Sequence, residues 1–108
     1  MKTVRWTIAA LLVLAALTGC SLFQKRATLA IVNASSYDIT VVNISPEDDT
    51  SWGEDHLAGT LVSGGTDWFE DIRAGTYDLR ALDAFARTWT YYGAVLEPDE
   101  VWTWTLGD

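Results

Sequence analysis

The sequence has little cysteine or histidine, and each shortage excludes a class of protein. Cys20 is the only cysteine among the 108 residues, so no disulfide can form within the chain. His56 is the only histidine, which excludes a histidine-rich zinc site. A Ser-His-Asp triad would need His56, which has Ser51 and Asp55 nearby in the sequence, but this grouping does not lie in the context of a nucleophile elbow. We therefore expect no enzymatic activity.

Basic residues are also scarce. Seven lysines and arginines face fifteen acidic residues, which gives the chain a net charge of −8. All fifteen acidic residues follow residue 19, and that part of the chain carries −10 because its cations are only Lys25, Arg26, Arg73, Arg80 and Arg87. Proteins bind nucleic acids mostly by neutralising phosphates with lysine and arginine. This charge therefore argues against DNA or RNA as a partner.

Long hydrophobic runs are absent except at the amino terminus. The run from Ile8 to Leu17 has about ten residues, whereas about twenty are needed to span a bilayer. With Lys2 and Arg5 before it, the run is typical of a signal peptide covering residues 1–19. One interpretation is an ordinary secretory leader that Cys20 follows by chance, and the residues just before Cys20 offer another.

The end of this leader resembles the lipobox of bacterial lipoproteins, with the sequence Leu17-Thr18-Gly19-Cys20. The resemblance implies that the Cys20 thiol is diacylated, that the leader is cut before it and that the new amino terminus is acylated. Ser21 stands where inner-membrane lipoproteins commonly have aspartate, so the resemblance implies the outer membrane if the cell is Gram-negative. Residues 20–26 would then form a short lipidated tether, with Lys25 and Arg26 near the lipid headgroups.

Residues 27–108 predict one all-β domain. Short segments with a period of two are separated by turn residues, and none has the apolar repeat of a helix. In the segment 101–106, Trp102, Trp104 and Leu106 alternate with threonines and should face the core. The segment 66–72 changes phase, which predicts a bulge or an exposed aromatic. We expect a single antiparallel β-sandwich of about seven short strands, at residues 28–33, 37–44, 59–62, 66–72, 76–82, 88–92 and 101–106.

Four motifs lie along this domain: Asn33-x-Ser35-x-Tyr37-Asp38-Ile39, Ile44-Ser45-Pro46, Ser51-Trp52-Gly53-Glu54-Asp55-x-Leu57 and Gly75-Thr76-Tyr77-Asp78-Leu79-Arg80. They resemble motifs of small, largely uncharacterised secreted or lipid-anchored bacterial β-sandwich domains. The family usually has an Asp-Gly type of turn where this chain has residues 83–87, so this connection is expected to differ. The resemblance implies a fold and a compartment but no catalytic residue.

The acidic loop 47–58 is the best candidate for a binding site. Its length exceeds that of an ordinary hairpin connection, and long loops are often functional. Trp52 and Leu57 could pin it to the sandwich, while the carboxylates would face a cation or a basic partner. Calcium favours such oxygen ligands, although the loop does not follow the EF-hand pattern. The predicted binding residues are Asp48, Asp49, Trp52, Glu54 and Asp55.

Together these features predict a non-enzymatic, lipid-anchored cell-envelope module that binds or scaffolds an envelope protein. It would need no cofactor, and its other contact would be the membrane, through the lipid on Cys20. The alternative is a calcium- or glycan-binding module that uses the acidic loop and nearby aromatic residues. The adjacent Tyr91 and Tyr92 should point to opposite faces of a strand, so at least one ring would be exposed.

The lipobox predicts that Cys20→Ala abolishes acylation and leaves an uncleaved or soluble chain. Labelled palmitate should enter the wild type and not the variant, and a variant chain that is released in soluble form should also leave the detergent phase that the wild type enters. Ser21→Ala is the matched control and should be labelled normally. Equal labelling of wild type and Cys20→Ala would refute lipidation at this residue.

Overall fold

Residues 25–108 form six β-strands and no helix in the computed structural model that describes this part of the chain. The predicted leader and the predicted lipidation site at Cys20 lie outside the described residues. Within residues 25–108 no helix has the length and apolar character that crossing a membrane requires. The strands are β1 (Arg26–Asn33), β2 (Ile39–Pro46), β3 (Thr66–Arg73), β4 (Gly75–Asp83), β5 (Thr88–Leu96) and β6 (Val101–Leu106).

The strands make two three-stranded sheets that pack around one core. Sheet 1 has the order β3-β1-β6 and sheet 2 the order β2-β4-β5. The all-β prediction is confirmed, but the expectation of about seven antiparallel strands is wrong in two respects. The predicted strand at residues 59–62 is reduced to an isolated bridge between Ile39 and Leu61. In addition, β6 runs parallel to β1, because the chain returns to sheet 1 only after building β4 and β5 in sheet 2.

Alternating residues of both sheets build the core. Trp104 and Leu106 of β6 are buried and Trp102 is half-buried, as their alternation with threonines predicts. Full burial of one such apolar side chain stabilises the fold by roughly 1.5–3 kcal/mol. The largest fully buried apolar side chains, which come from both sheets, are Leu29, Ile31, Ile39, Val42, Leu79, Leu96 and Leu106.

A β-bulge resolves the change of phase in β3. Leu29 pairs with Phe69 and Ala27 pairs with Ile72, so β3 has one residue more than β1 between these pairs. Asp71, within the bulge, has a φ of 59°. The bulge turns both Phe69 and Ile72 toward the core and leaves Trp68 57% exposed on the outer face. Both expected features, the bulge and the exposed aromatic, are therefore present.

The strand β5 continues through a second bulge, beyond its predicted end at residue 92. Tyr92 and Gly93 together oppose Asp78 of β4, and Gly93 has a φ of 79°, which glycine adopts without strain. The buried carboxylate of Asp78 accepts a hydrogen bond from the Gly93 N–H at 3.0 Å. The glycine that marks the end of a strand in the sequence is thus a bend inside one.

The side chain of Asn33 joins the end of β1 to the segments around it. Its Nδ2 donates to the carbonyl oxygens of Tyr37 at 2.7 Å and Leu61 at 3.0 Å. Its Oδ1 accepts hydrogen bonds from the N–H of Ser35 at 3.1 Å and from the Ser35 hydroxyl at 2.6 Å. Asn33 is 0% exposed, so these bonds replace all of the water that the side chain loses on folding.

The connection from β4 to β5 is closed by the buried carboxylate of Asp83. It accepts hydrogen bonds from the N–H groups of Phe85 at 2.9 Å and Arg87 at 2.8 Å, and from the Arg87 guanidinium at 2.7 Å. Burial raises the pKa of Asp83, but the hydrogen bonds from Arg87 and Phe85 outweigh it and hold the pKa below its usual value. Ala86 has a φ of 66°, a conformation that glycine would adopt more easily.

Candidate functional site

The acidic loop 47–58 runs back along β2 and covers the edge of that strand. The Val42 N–H donates to the Asp55 carboxylate at 2.9 Å, and the Val42 carbonyl oxygen accepts the His56 N–H at 2.7 Å. The same Asp55 oxygen accepts the Leu57 N–H at 2.9 Å. Leu57 is buried in the core, as the sequence predicts. These hydrogen bonds and the burial of Leu57 therefore fix the loop along the edge of β2.

Polar side chains on the outer face of sheet 2 hold the first half of the loop. Asn43 and Ser45 point away from the core but are buried, because the loop lies over them. The Asn43 amide donates to the Glu54 carbonyl oxygen at 3.0 Å, and the Ser45 hydroxyl donates to the Ser51 carbonyl oxygen at 2.8 Å. These bonds hold the chain on both sides of Trp52 and Gly53, and so fix the position of Trp52.

Trp52 packs on the outer face of sheet 2, where it meets two residues that the sequence does not place beside it. The centre of its ring lies 4.9 Å from the guanidinium carbon of Arg80, within the range of a cation–π interaction. The Tyr92 ring lies 6.1 Å away between centroids, at an angle of 39°. Trp52 is half-buried, so the prediction that it pins the loop is confirmed. We call Trp52, Arg80 and Tyr92 the outer-face cluster.

Arg80 is the residue of this cluster that the sequence analysis missed. Its Nε donates to the Asn43 Oδ1 at 3.0 Å, so a buried amide sets its orientation. Within the described residues no carboxylate forms an ion pair with it. The alternation of Leu79, Arg80 and Ala81 in β4 could have placed this guanidinium on the outer face, but not beneath a tryptophan from the loop.

The predicted acidic residues do not come together as a metal site. Asp55 is used to hold the loop, while Asp48, Asp49 and Glu54 are exposed along it. Asp49 also accepts the Ser51 N–H, at 3.4 Å. Within residues 25–108 no group of three or more histidine, cysteine or acidic side chains is arranged to hold a metal ion. Of the five predicted binding residues, only Trp52 belongs to the outer-face cluster.

A second candidate surface is the side of the sandwich where β5 and β6 lie one above the other as edge strands. Their residues 88–96 and 101–106 contain no charged side chain. The Tyr91 and Trp102 rings bridge the two sheets here, with centroids 4.9 Å apart at an angle of 69°. The Trp89 indole N–H donates to the Gly107 carbonyl oxygen at 2.7 Å. We call this surface the open side.

The other two edge strands differ from the open side because each is protected. The loop covers β2, through its bonds to Val42. The edge strand β3 carries a bulge and the charged residues Asp67, Glu70, Asp71 and Arg73. Charges, bulges and covering loops are the devices by which proteins prevent pairing at strand edges. In contrast, within the described part of the chain β6 has none of these devices, and β5 has only the bulge at Gly93.

Tyr91 and Tyr92 contribute to the two surfaces separately. Tyr91 packs against Trp102 on the open side, and Tyr92 packs beside Trp52 on the outer face of sheet 2. The prediction that adjacent tyrosines point to opposite faces is confirmed, and both rings remain exposed, at 43% and 63%. The two surfaces thus adjoin along β5 but use different side chains.

Comparison of the chain with protein-family models, with curated proteins and with solved structures gives no match. A function for this protein is therefore inferred from its own residues and their geometry.

The loop geometry predicts that Asp55 and Asp48 differ in their effect on stability. Asp55→Ala leaves the Val42 and Leu57 N–H groups without their acceptor, which should lower the free energy of unfolding by about 1–3 kcal/mol. Asp48→Ala, in the same exposed loop, should change it by no more than about 0.5 kcal/mol. Urea unfolding followed by tryptophan fluorescence measures both. Equal stabilities of the two variants would show that the Asp55 bonds do not hold the loop.

Proposed function

We propose that this protein is a non-enzymatic, lipid-anchored cell-envelope module that binds an extended segment of another envelope protein along its open side. The observation that carries the proposal is the pair of stacked edge strands β5 and β6, which have no charged residue in a chain with a net charge of −8. The partner segment would add as a further strand to β5 or β6.

The chemistry of a strand edge supports this mode of binding. The outward side of an edge strand presents N–H and C=O groups that can pair with another chain. Main-chain hydrogen bonds then give affinity, while side chains beside the edge give specificity. On the open side these side chains are aromatic, with Tyr91 and Trp102 in contact across the sheets. Depletion of charge and enrichment in aromatic residues are typical of the centre of protein interfaces.

The proposed anchor would keep this surface close to a membrane. Five residues lie between Cys20 and Arg26, where β1 begins, so the two residues can be at most about 20 Å apart even when this segment is fully extended. The parallel strands β1 and β6 start at the same end of the domain, so the open side would begin near the membrane and extend away from it. Lipidation at Cys20 and location at the outer membrane of a Gram-negative cell belong to this proposal.

Glycan binding is a second candidate function, and one observation favours it. Trp52 and Tyr92 place two aromatic rings side by side on an exposed sheet face that is separate from the inter-sheet contact of Tyr91 with Trp102. The two functions use different residues and are compatible in one molecule.

Lysine substitutions on the edge strands test the open side. Thr103→Lys on β6 and Val95→Lys on β5 each place a charge at an exposed position next to a free edge, which should prevent strand addition. Thr66→Lys is the matched control, because it is an exposed threonine on β3, the opposite edge of sheet 1. The full-length tagged chain would be crosslinked in intact envelopes, solubilised and purified, and its partners quantified by mass spectrometry.

We expect one partner protein to be recovered in equal amounts with wild type and with Thr66→Lys. The amount recovered with Thr103→Lys or with Val95→Lys should be at least tenfold lower. All variants should keep the melting temperature of the wild type within a few degrees, because each change is at the surface. Recovery that is the same for all four chains, or is reduced only by Thr66→Lys, would refute the open side as the binding surface.

A further inference from the structure

We propose that the outer-face cluster of Trp52, Arg80 and Tyr92 binds a carbohydrate that carries a single carboxylate, such as a uronic acid unit within an otherwise neutral glycan. The inference rests on the glycan-binding candidate above and names its ligand class, and the site is distinct from the strand edge of the open side. The ligand would be recognised by one guanidinium and two aromatic rings.

Arg80 supplies the charge that the ligand must match. A guanidinium has five N–H donors, and Nε uses one of them on Asn43. The terminal nitrogens are not used in an ion pair with any carboxylate of the described residues. Arg80 is half-buried, and both the buried Asn43 amide and the Trp52 ring hold it in place. A carboxylate is the group that matches the fork of a guanidinium in two parallel hydrogen bonds.

The aromatic rings supply a surface for a sugar ring. Tyr92 is 63% exposed, and its centroid lies 6.1 Å from that of Trp52, so the two rings extend side by side over several ångströms. The face of an aromatic ring is electron-rich and attracts the weakly positive C–H groups on one side of a pyranose. The polar hydroxyls of such a sugar would remain directed toward solvent and toward the neighbouring polar side chains.

Threonines next to the cluster add hydrogen-bonding groups of the kind that sugars need. Thr90 pairs with Arg80 across the β4–β5 ladder, and Thr88 pairs with Leu82, two residues along the same face. Both are exposed. The cluster therefore adjoins exposed residues on one face of sheet 2, which suits a unit inside a glycan chain.

The acidic loop restricts the charge of the ligand. Asp48, Asp49 and Glu54 are exposed on the segment that carries Trp52. Their field opposes a densely charged anion such as a polyphosphate, while Arg80 offers a local attraction at short range. The acidic loop and Arg80 together therefore favour a neutral glycan that carries one carboxylate. A peptide with one acidic side chain carries the same charge but lacks the apolar ring face that the two aromatic rings would cover.

Two disaccharides that differ in one group test the proposal. Cellobiouronic acid carries a carboxylate where cellobiose carries a hydroxymethyl group, and both present the same pyranose faces. Each would be titrated into the full-length chain in a polyoxyethylene detergent, because glycosidic detergents would compete for the site. Isothermal calorimetry and tryptophan fluorescence give the affinities, and the acidic tripeptide Gly-Asp-Gly serves as the peptide probe.

We expect saturable binding of cellobiouronic acid, at least tenfold tighter than binding of cellobiose. Arg80→Gln should abolish this preference, and Tyr92→Ala should weaken binding of the acid at least tenfold. Lys25→Gln, which removes the same charge just before β1, and Thr103→Lys, on β6, should leave it unchanged. Tyr92 is exposed, so its variant should fold even if Arg80→Gln does not.

Three results would overturn the proposal. The first is the absence of saturable binding for either disaccharide. The second is equal affinity for the acid in wild type and in a folded Arg80→Gln or Tyr92→Ala variant. The third is binding of Gly-Asp-Gly that depends on Arg80 and Tyr92 and is at least as tight as that of the acid, which would assign the cluster to a peptide.

Discussion

Asn33 is the point on which the arrangement of the two sheets depends. The chain leaves sheet 1 at the end of β1 and must reach sheet 2 within the few residues before β2, without a disulfide to fix the crossing. The buried carboxamide does this by binding Tyr37 and Leu61 through Nδ2 and Ser35 through Oδ1. Its backbone N–H and C=O bind Gly65 and Gly64, so the start of β3 is held at the same place. Removal of the amide would leave several buried groups without partners, each at a cost of about 1–3 kcal/mol.

The same crossing determines which strand edges are covered. Because Leu61 is held against Asn33 and Ile39, the chain from Pro46 to Leu61 must return along β2, and there Asp55 and His56 bind its edge. The loop is thereby a cover for one edge of sheet 2 and the support of Trp52 over Arg80. On the opposite side no segment of residues 25–108 covers the edges of β5 and β6. These two strands contain no charged residue, although Glu97, Asp99, Glu100 and Asp108 flank them, whereas the loop that covers β2 carries five acidic residues.

The alternation of apolar and polar residues predicts much of the local structure. It does not predict which strands pair or whether they run parallel or antiparallel. The pattern of Trp102, Trp104 and Leu106 predicts both the limits of β6 and its buried face, and the change of phase around Trp68 correctly signals the bulge in β3. A period of two contains no information on which strand pairs with which, so the parallel pairing of β1 and β6 could not be predicted. Gly93 reads as the end of a strand because sequence does not distinguish a bulge from a turn. Asn33 reads only as a turn residue, and Arg80 only as a surface charge, because the contacts that give them their roles are with Leu61, Asn43 and Trp52, far along the chain.

Hydrogen exchange measures whether a partner in the envelope covers the open side. Exchange of backbone amides would be compared between the full-length chain in isolated envelopes and the same chain purified in detergent. If a partner segment pairs with β5 or β6, amide exchange of residues 88–96 and 101–106 should be slower in envelopes, while exchange of β3 and of the loop 47–58 should be unchanged. No difference between the two preparations, or slower exchange confined to β3, would contradict it.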